Sequence, residues 1–341
     1  MARKNASQQD VAERSRVSRS TAAAVLRNDP KFSFSEATRQ RVWKAARELN
    51  YQPHSSARAL RGGRTHTFAL AIQQFEHIGG AIQSQNLRGM GEAAQQMGYS
   101  LTICSYGSVN QMKPTFERLM RESRFDGVVL HGDARCEEDP REKIVEAFGL
   151  PCVVLERRSE RTAWVDFDHR AGAAMGTRHL LDSGRQRIAL VGAWDTLRRQ
   201  GYIDAIEQAG MAVDDRLIWP RLSGEAYDHV ARCAVEVMFG QGGEPPDGML
   251  CMSDEIASAA IAALSERGIS VPDDVAVVGY DDSKLAHYTN PSLTSVRQDG
   301  VEMGREAVRL LLQYVDDRDA VVDPVIIQPT LTVRRSCGVQ V

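Results

Sequence analysis

Gln8-Gln9-Asp10-Val11-Ala12-Glu13-Arg14-Ser15-Arg16-Val17-Ser18-Arg19-Ser20-Thr21-Ala22-Ala23-Ala24-Val25-Leu26 reads as two short helices joined by a tight turn. Val11, Ala12, Val17, Ala22, Val25 and Leu26 are the small apolar contacts that let such a pair pack. Ser7 stands where it caps the first helix and Ser18 where it caps the second, since a short side-chain oxygen there accepts an orphan backbone N–H. The second helix then opens on Ser18-Arg19-Ser20-Thr21, short hydroxyls and one guanidinium. That is the end a helix-turn-helix presents to the major groove.

Outward from this stretch, Phe34–Leu49 predicts a third helix with Ser35 as its N-cap. Val42, Trp43, Ala46 and Leu49 form its apolar stripe, and Trp43 is expected to close the core of a small head. Asn50-Tyr51-Gln52-Pro53 ends that helix, because proline disfavours a helical residue before it. His54–Arg61 is helix-capable, and Gly62-Gly63-Arg64 is a flexible joint.

Charge separates the head from the rest. The 341-residue chain has a formal net charge of −3. Residues 1–64 carry 14 basic and 5 acidic side chains, a net of +9, whereas the remainder carries 28 basic and 40 acidic, a net of −12. A basic head on an acidic body fits a polyanion-binding module joined to one that is not. Arginine outnumbers lysine 36 to 6 throughout, so the balance of charge says more than the arginine content.

From Thr67 onward the pattern alternates between buried strands and amphipathic helices. Strands are expected at Phe68–Ile72, Ser100–Cys104, Gly127–Leu130, Cys152–Leu155, Ile188–Val191, Gly248–Met252 and Val275–Gly279. Helices are expected at Gly89–Met97, Ala171–Leu181, Arg198–Gln208, Val230–Phe239, Ile256–Glu266 and Met303–Leu312. Such alternation implies two doubly wound parallel sheets with a ligand cleft between them. The six cysteines, Cys104, Cys136, Cys152, Cys233, Cys251 and Cys337, are scattered with no C-x-x-C pair, which favours reduced thiols over a metal site. No apolar run approaches the roughly 18 residues of a membrane span, and no secretory leader opens the chain. The expected location is the cytoplasm.

Taken in order, the motifs resemble the lactose-repressor (LacI/GalR) family of transcriptional regulators. In the head these are Asp10-Val11-Ala12, Val17-Ser18-x-x-Thr21, Ser35-x-x-Thr38-Arg39-x-x-Val42, Leu49-Asn50-Tyr51-x-Pro53 and Ala57-Arg58-Ala59-Leu60. In the body they are Phe125-Asp126-Gly127, Arg198-x-x-Gly201-Tyr202, Ser253-Asp254, Val271-Pro272-Asp273-Asp274-Val275, Val278-Gly279-Tyr280-Asp281-Asp282 and Pro291-x-Leu293-Thr294-Ser295-Val296. Each alone is weak; in this order and spacing they are specific.

The resemblance implies an α/β protein: a three-helix helix-turn-helix head and hinge helix, then a periplasmic-binding-protein-like body of two parallel-sheet subdomains. The head would span 1–53, the hinge 54–64 and the effector-binding and dimerisation body 65–341. Within the body the first subdomain would take 65–166 plus 298–324, and the second 167–297 plus 325–341. A homodimer would place two heads on a near-palindromic double-stranded operator. The resemblance assigns DNA contacts to Ser18, Arg19, Ser20, Thr21, Arg27, Tyr51, Ala57, Arg58 and Leu60, with Arg19 suited to guanine and Leu60 to a minor-groove wedge. Ala23-Ala24 replace polar or basic residues common there, and Arg27 replaces an asparagine.

It also assigns effector contacts to Gln73, His131, Glu156, Trp194, Arg198, Ser253 and Asp281, at the carboxyl ends of strands. Such a set suits a sugar or related polar metabolite, with Trp194 stacking on a ring face. Taken singly, Glu156 is equally placed to pair with Arg157 or Arg158, and Trp194 to be core. No cofactor, metal site or catalytic residue is expected. No Walker loop, H-E-x-x-H or G-x-S-x-G occurs, which leaves an α/β enzyme the weakest reading. A solute-binding protein without a DNA role is the other alternative, opposed by the basic head.

Overall fold

Short polar caps and small apolar residues build the head. The computed structural model of the chain describes residues 6–26, 32–51, 64–73, 80–122, 125–132, 139–193, 195–222, 225–240 and 244–338. Helix α1, Gln8–Ser15, begins at a capping box: the Asp10 N–H donates to Ser7 Oγ, and the Ser7 N–H to Asp10 Oδ2. Arg16 ends it in the left-handed region at φ 55°, which turns the chain sharply into α2, Arg19–Leu26. Ser18 caps α2, its Oγ accepting the Thr21 N–H at 3.0 Å. Ser35 caps α3, Glu36–Glu48, in the same way. Val11, Ala12, Ala22, Val25, Leu26, Val42, Ala45 and Ala46 close the core.

Trp43 does not join that core. It is 43 % exposed, and the expectation that it closes the head is corrected. Neighbouring helical positions lie about 100° apart, so the stripe that buries Val42, Ala45 and Ala46 turns Trp43 outward.

The body, His66–Arg118 with Phe125–Val341, has two lobes. In the first, β1 Thr67–Ile72, β2 Ser100–Ser105, β3 Gly127–His131, β4 Cys152–Leu155, β5 Trp164–Phe167 and β11 Val325–Ile327 form a sheet in the order β11-β5-β4-β3-β1-β2. In the second, β6 Ile188–Ala193, β7 Ile218–Pro220, β8 Gly248–Cys251, β9 Ala276–Asp281, β10 Thr294–Arg297 and β12 Thr330–Thr332 follow the order β12-β10-β9-β8-β6-β7. Every described strand pairing is parallel except β10 with β12. The central strands are buried on both faces, which is why they read as continuous runs of Val, Leu, Ile and Ala. β11 pairs with β5, Val325 opposite Val165. Residues 325–327 therefore belong to the first lobe, a correction to the boundary placed before Val325.

Helices α4 Ala81–Gln96, α5 Val109–Arg121, α6 Pro140–Ala147 and α12 Gly300–Asp316 cover the first sheet. Helices α7 His169–Asp182, α8 Thr196–Gln208, α9 Tyr227–Gly240, α10 Asp254–Glu266 and α11 Lys284–Tyr288 belong to the second. Helices α4 and α12 cross at glycines. A Cβ on Gly304 would stand 2.2 Å from the Asn86 carbonyl oxygen, and one on Gly89 would stand 1.9 Å from that of Val301. This close approach fixes α4, and with it the Asn86 side chain. Cys104, Cys152, Cys233, Cys251 and Cys337 are free thiols; Cys136 lies outside the described residues.

Candidate functional site

The carboxyl ends of parallel strands from both lobes converge on one cavity of about 290 Å³. Gln73 follows β1, His131 ends β3, Glu156 follows β4, Arg198 opens α8 after β6, Ser253 precedes α10, and Asp281 ends β9. All six line the cavity. Trp194 lies outside the described residues. The cavity also holds residues that the sequence reading passed over: Asp139, Arg141, His169, Arg221, Glu255 and Gln298 among them. These come from first turns of helices and from strand exits, positions without a periodic signature.

Glu156 is the centre of the first-lobe wall. It sits at φ 61°, a conformation few non-glycine residues adopt. Its Oε1 accepts from Asn86 Nδ2 and faces His131 Nε2 at 3.4 Å. Burial alone would push its carboxyl up; His131, His169 and the Asn86 amide outweigh that and hold it below the usual range. The neighbouring cations take other partners, Arg157 pairing with Glu142 and Arg158 lying 3.6 Å from Asp166. Asp139, the N-cap of α6, holds buried Arg141 through both carboxylate oxygens, and Arg141 also donates to the Tyr106 hydroxyl at 2.9 Å.

The second-lobe wall is built differently. Arg198 pairs with Asp195, the N-cap of its own helix, and its guanidinium lies 5.1 Å over the Tyr280 ring. Ser253 caps α10, its Oγ accepting the Ile256 N–H at 3.1 Å. Behind it, fully buried Asp254 accepts from Ser295 Oγ and from the Ser283 N–H, each at 2.6 Å. Burial raises Asp254 to about 6 despite those donors. Asp281, at φ 104°, accepts from Gln298 Nε2 at 2.6 Å. Burial, then the charges of Asp254 and Glu255, push its carboxyl well above the usual range, against the opposing pull of Arg198 and Gln298. Asp282, next in sequence, turns away to Arg334.

In the head, Ser18, Arg19 and Ser20 are exposed at the start of α2. The Ser18 hydroxyl lies 2.8 Å from those of both Ser20 and Thr21. Ala23 and Ala24 are buried. Tyr51 packs against the head core. Arg27, Ala57, Arg58 and Leu60 lie outside the described residues.

Residues 8–54 match the bacterial regulatory proteins of the lacI family, and residues 177–337 match the periplasmic binding protein-like domain. The chain is 30% identical to the transcriptional repressor PurR of Vibrio atlanticus over 91% of its own length and 92% of that protein's. It belongs to the lacI family. Members at comparable distance include the transcriptional regulator GalR of Escherichia coli, 29% identical over 96% of this chain and 94% of that protein. Among solved structures, it is similar to the lac repressor dimer bound to operator and an anti-inducer, with a TM-score of 0.83, 25% identity, and 98% and 99% of the two chains covered. It is likewise similar to a CelR–cellobiose complex, with a TM-score of 0.71, 28% identity, and 97% and 99% covered. This lacI-family chain is a transcriptional regulator and not an enzyme. Among its described residues no helix is long and apolar enough to cross a membrane.

Proposed function

We propose that this regulator is a cytoplasmic, homodimeric repressor that binds a near-palindromic operator and is switched by a small polar metabolite, a sugar or a related compound. Residues 1–53 read the major groove, 54–64 form the hinge, and the body from 65 binds the effector and pairs the protomers. The observation that carries this reading is the convergence of Gln73, His131, Glu156, Arg198, Ser253 and Asp281, drawn from both lobes, on one cavity. A volume of about 290 Å³ sits at the small end of small-molecule sites and suits a single-ring ligand. The relatives support the same mechanics: one is captured on its operator and another with cellobiose.

In the head, Arg19 and Ser20 contact base edges, with Ser18, Thr21, Arg27 and Tyr51 positioning them on the backbone. Leu60, with Ala57 and Arg58 before it, wedges the minor groove. Because effector residues sit on both lobes, a ligand bridging them biases the interlobe angle and through it the spacing of the paired hinges. Such coupling is typically worth about 1–3 kcal/mol. Selection of bound operators from random DNA, repeated over a panel of metabolites, tests this reading directly. Recovery of a palindromic site whose occupancy one metabolite alters supports it; recovery of no preferred site contradicts it. Leu60→Ser is expected to weaken operator binding while sparing salt-sensitive non-specific binding; equal loss on both DNAs removes the wedge role.

A further inference from the structure

Three guanidiniums of the cavity are engaged from within, whereas one buried acceptor is not. Arg141 is held by Asp139 and Tyr106, and Arg198 by Asp195. Arg221 donates to the Glu225 carbonyl at 2.9 and 3.1 Å and lies over the Tyr227 ring. By contrast, Gln298 is 3 % exposed and uses its amide nitrogen on Asp281, leaving Oε1 without a partner among the described residues. His169, 5 % exposed, faces Asp166 through Nε2 at 3.3 Å, and its Nδ1 has no partner among the described residues. A buried acceptor left without a donor is costly, so the group that meets Gln298 Oε1 is a donor.

Charge narrows the choice of donor. Asp281 and Glu255 line the second-lobe end of the cavity, and Asp254 lies directly behind them. Glu255 stands in the first turn of α10 with no hydrogen bond or ion pair among the described residues. The guanidiniums on this side are already engaged, Arg198 by Asp195 and Arg221 by the Glu225 carbonyl. We propose that this end of the cavity takes a protonated amine, held by Glu255, Asp281 and the Gln298 carbonyl oxygen, so that the effector is an amine-bearing polar metabolite such as an amino sugar. An ammonium brings three donors, a positive charge and no acceptor. A hydroxyl satisfies an acceptor but leaves the carboxylates facing one another. A carboxylate or phosphate does neither. Burial first, and then the charges of Asp254 and Glu255, raise the proton affinity of Asp281.

The inference rests on the cavity being the effector site, and the test separates the two. Full-length protein is titrated calorimetrically with glucosamine and galactosamine, with glucose and galactose as hydroxyl counterparts, and with gluconate and glucose 6-phosphate as anions. At least one amine is expected to bind about tenfold or more tighter than its hydroxyl counterpart, about the gain of a charge-assisted contact. Glu255→Gln is expected to erase that margin, and Glu255→Asp to restore part of it. The ligand-free thermal midpoint of each variant shows that the fold is kept. Neutral or anionic probes binding as tightly as the amines overturn the amine assignment while leaving the cavity reading intact. Amine binding that survives in Asp281→Ala places the ligand elsewhere and overturns the cavity reading itself. No binding by any class overturns both.

Discussion

The two walls of the cavity handle charge in opposite ways. On the first-lobe wall Arg141 meets Asp139 and Glu156 meets His131, and behind that wall Arg157 pairs with Glu142. On the second-lobe wall Asp254, Glu255 and Asp281 crowd together, and their nearest guanidinium is held by Asp195. In the switch proposed above, the first wall is set before a ligand arrives, and the second is relieved when one does. A switch needs this asymmetry, because a ligand shifts an equilibrium only by what it changes between two states.

The largest expected effect separates the walls by stability. Arg141→Met leaves Asp139, itself 5 % exposed, buried without its partner, and is expected to cost about 3–5 kcal/mol in urea denaturation. A loss below about 1 kcal/mol would mean that the first wall is not held by its ion pairs. Next comes Gly304→Leu, whose side chain would enter the α4–α12 crossing against the Asn86 carbonyl oxygen. Overpacking of this kind costs about 1–3 kcal/mol, and the displaced Asn86 amide should let the Glu156 carboxyl titrate higher. An unchanged Glu156 titration by carboxyl NMR would break the link between the helix crossing and the first wall.

The second wall should respond to pH in the opposite sense to a paired carboxylate. Asp254 is raised to about 6 in the folded protein, above the ordinary value of about 4. Its contribution is therefore fully present below pH ~4 and is lost as pH rises through about 6, by on the order of 1–3 kcal/mol. Glu156, held low, works the other way: its contribution is present above the ordinary value and is lost as pH falls below it. Asp281→Asn removes a second carboxyl held above its ordinary value and should lessen the loss of stability as pH rises; a thermal-midpoint series that keeps its slope would contradict that raised proton affinity. The smallest effect is expected for Glu255→Gln, within about 0.5 kcal/mol, because lost helix-terminus attraction offsets relieved repulsion. A loss of several kcal/mol would make Glu255 a structural residue rather than one kept for a ligand.

The parts legible in the sequence are those fixed locally. Ser7, Ser18 and Ser35 announce helix starts because a cap acts within three residues of itself. The central strands announce themselves because both faces are buried. β5, β7, β10, β11 and β12 escape such a reading: each is three or four residues long and defined by its partners across the sheet. Helix α5 was missed because Pro114 interrupts its pattern. In the cavity, the family motifs led to Glu156 and Asp281 but not to Asn86 or Gln298. Those two reach their carboxylates from a helix and from the exit of a strand, 70 and 17 residues away, and no spacing rule links them.

The most direct test of the account is a fluorescence-anisotropy titration of the selected operator, with and without the tightest-binding ligand, in the unmodified protein and in Asp281→Ala. The account predicts that the ligand changes operator affinity about 5- to 150-fold in the unmodified protein and leaves Asp281→Ala unmoved. Equal operator affinity with and without ligand in the unmodified protein, or the same shift in the variant, would contradict it.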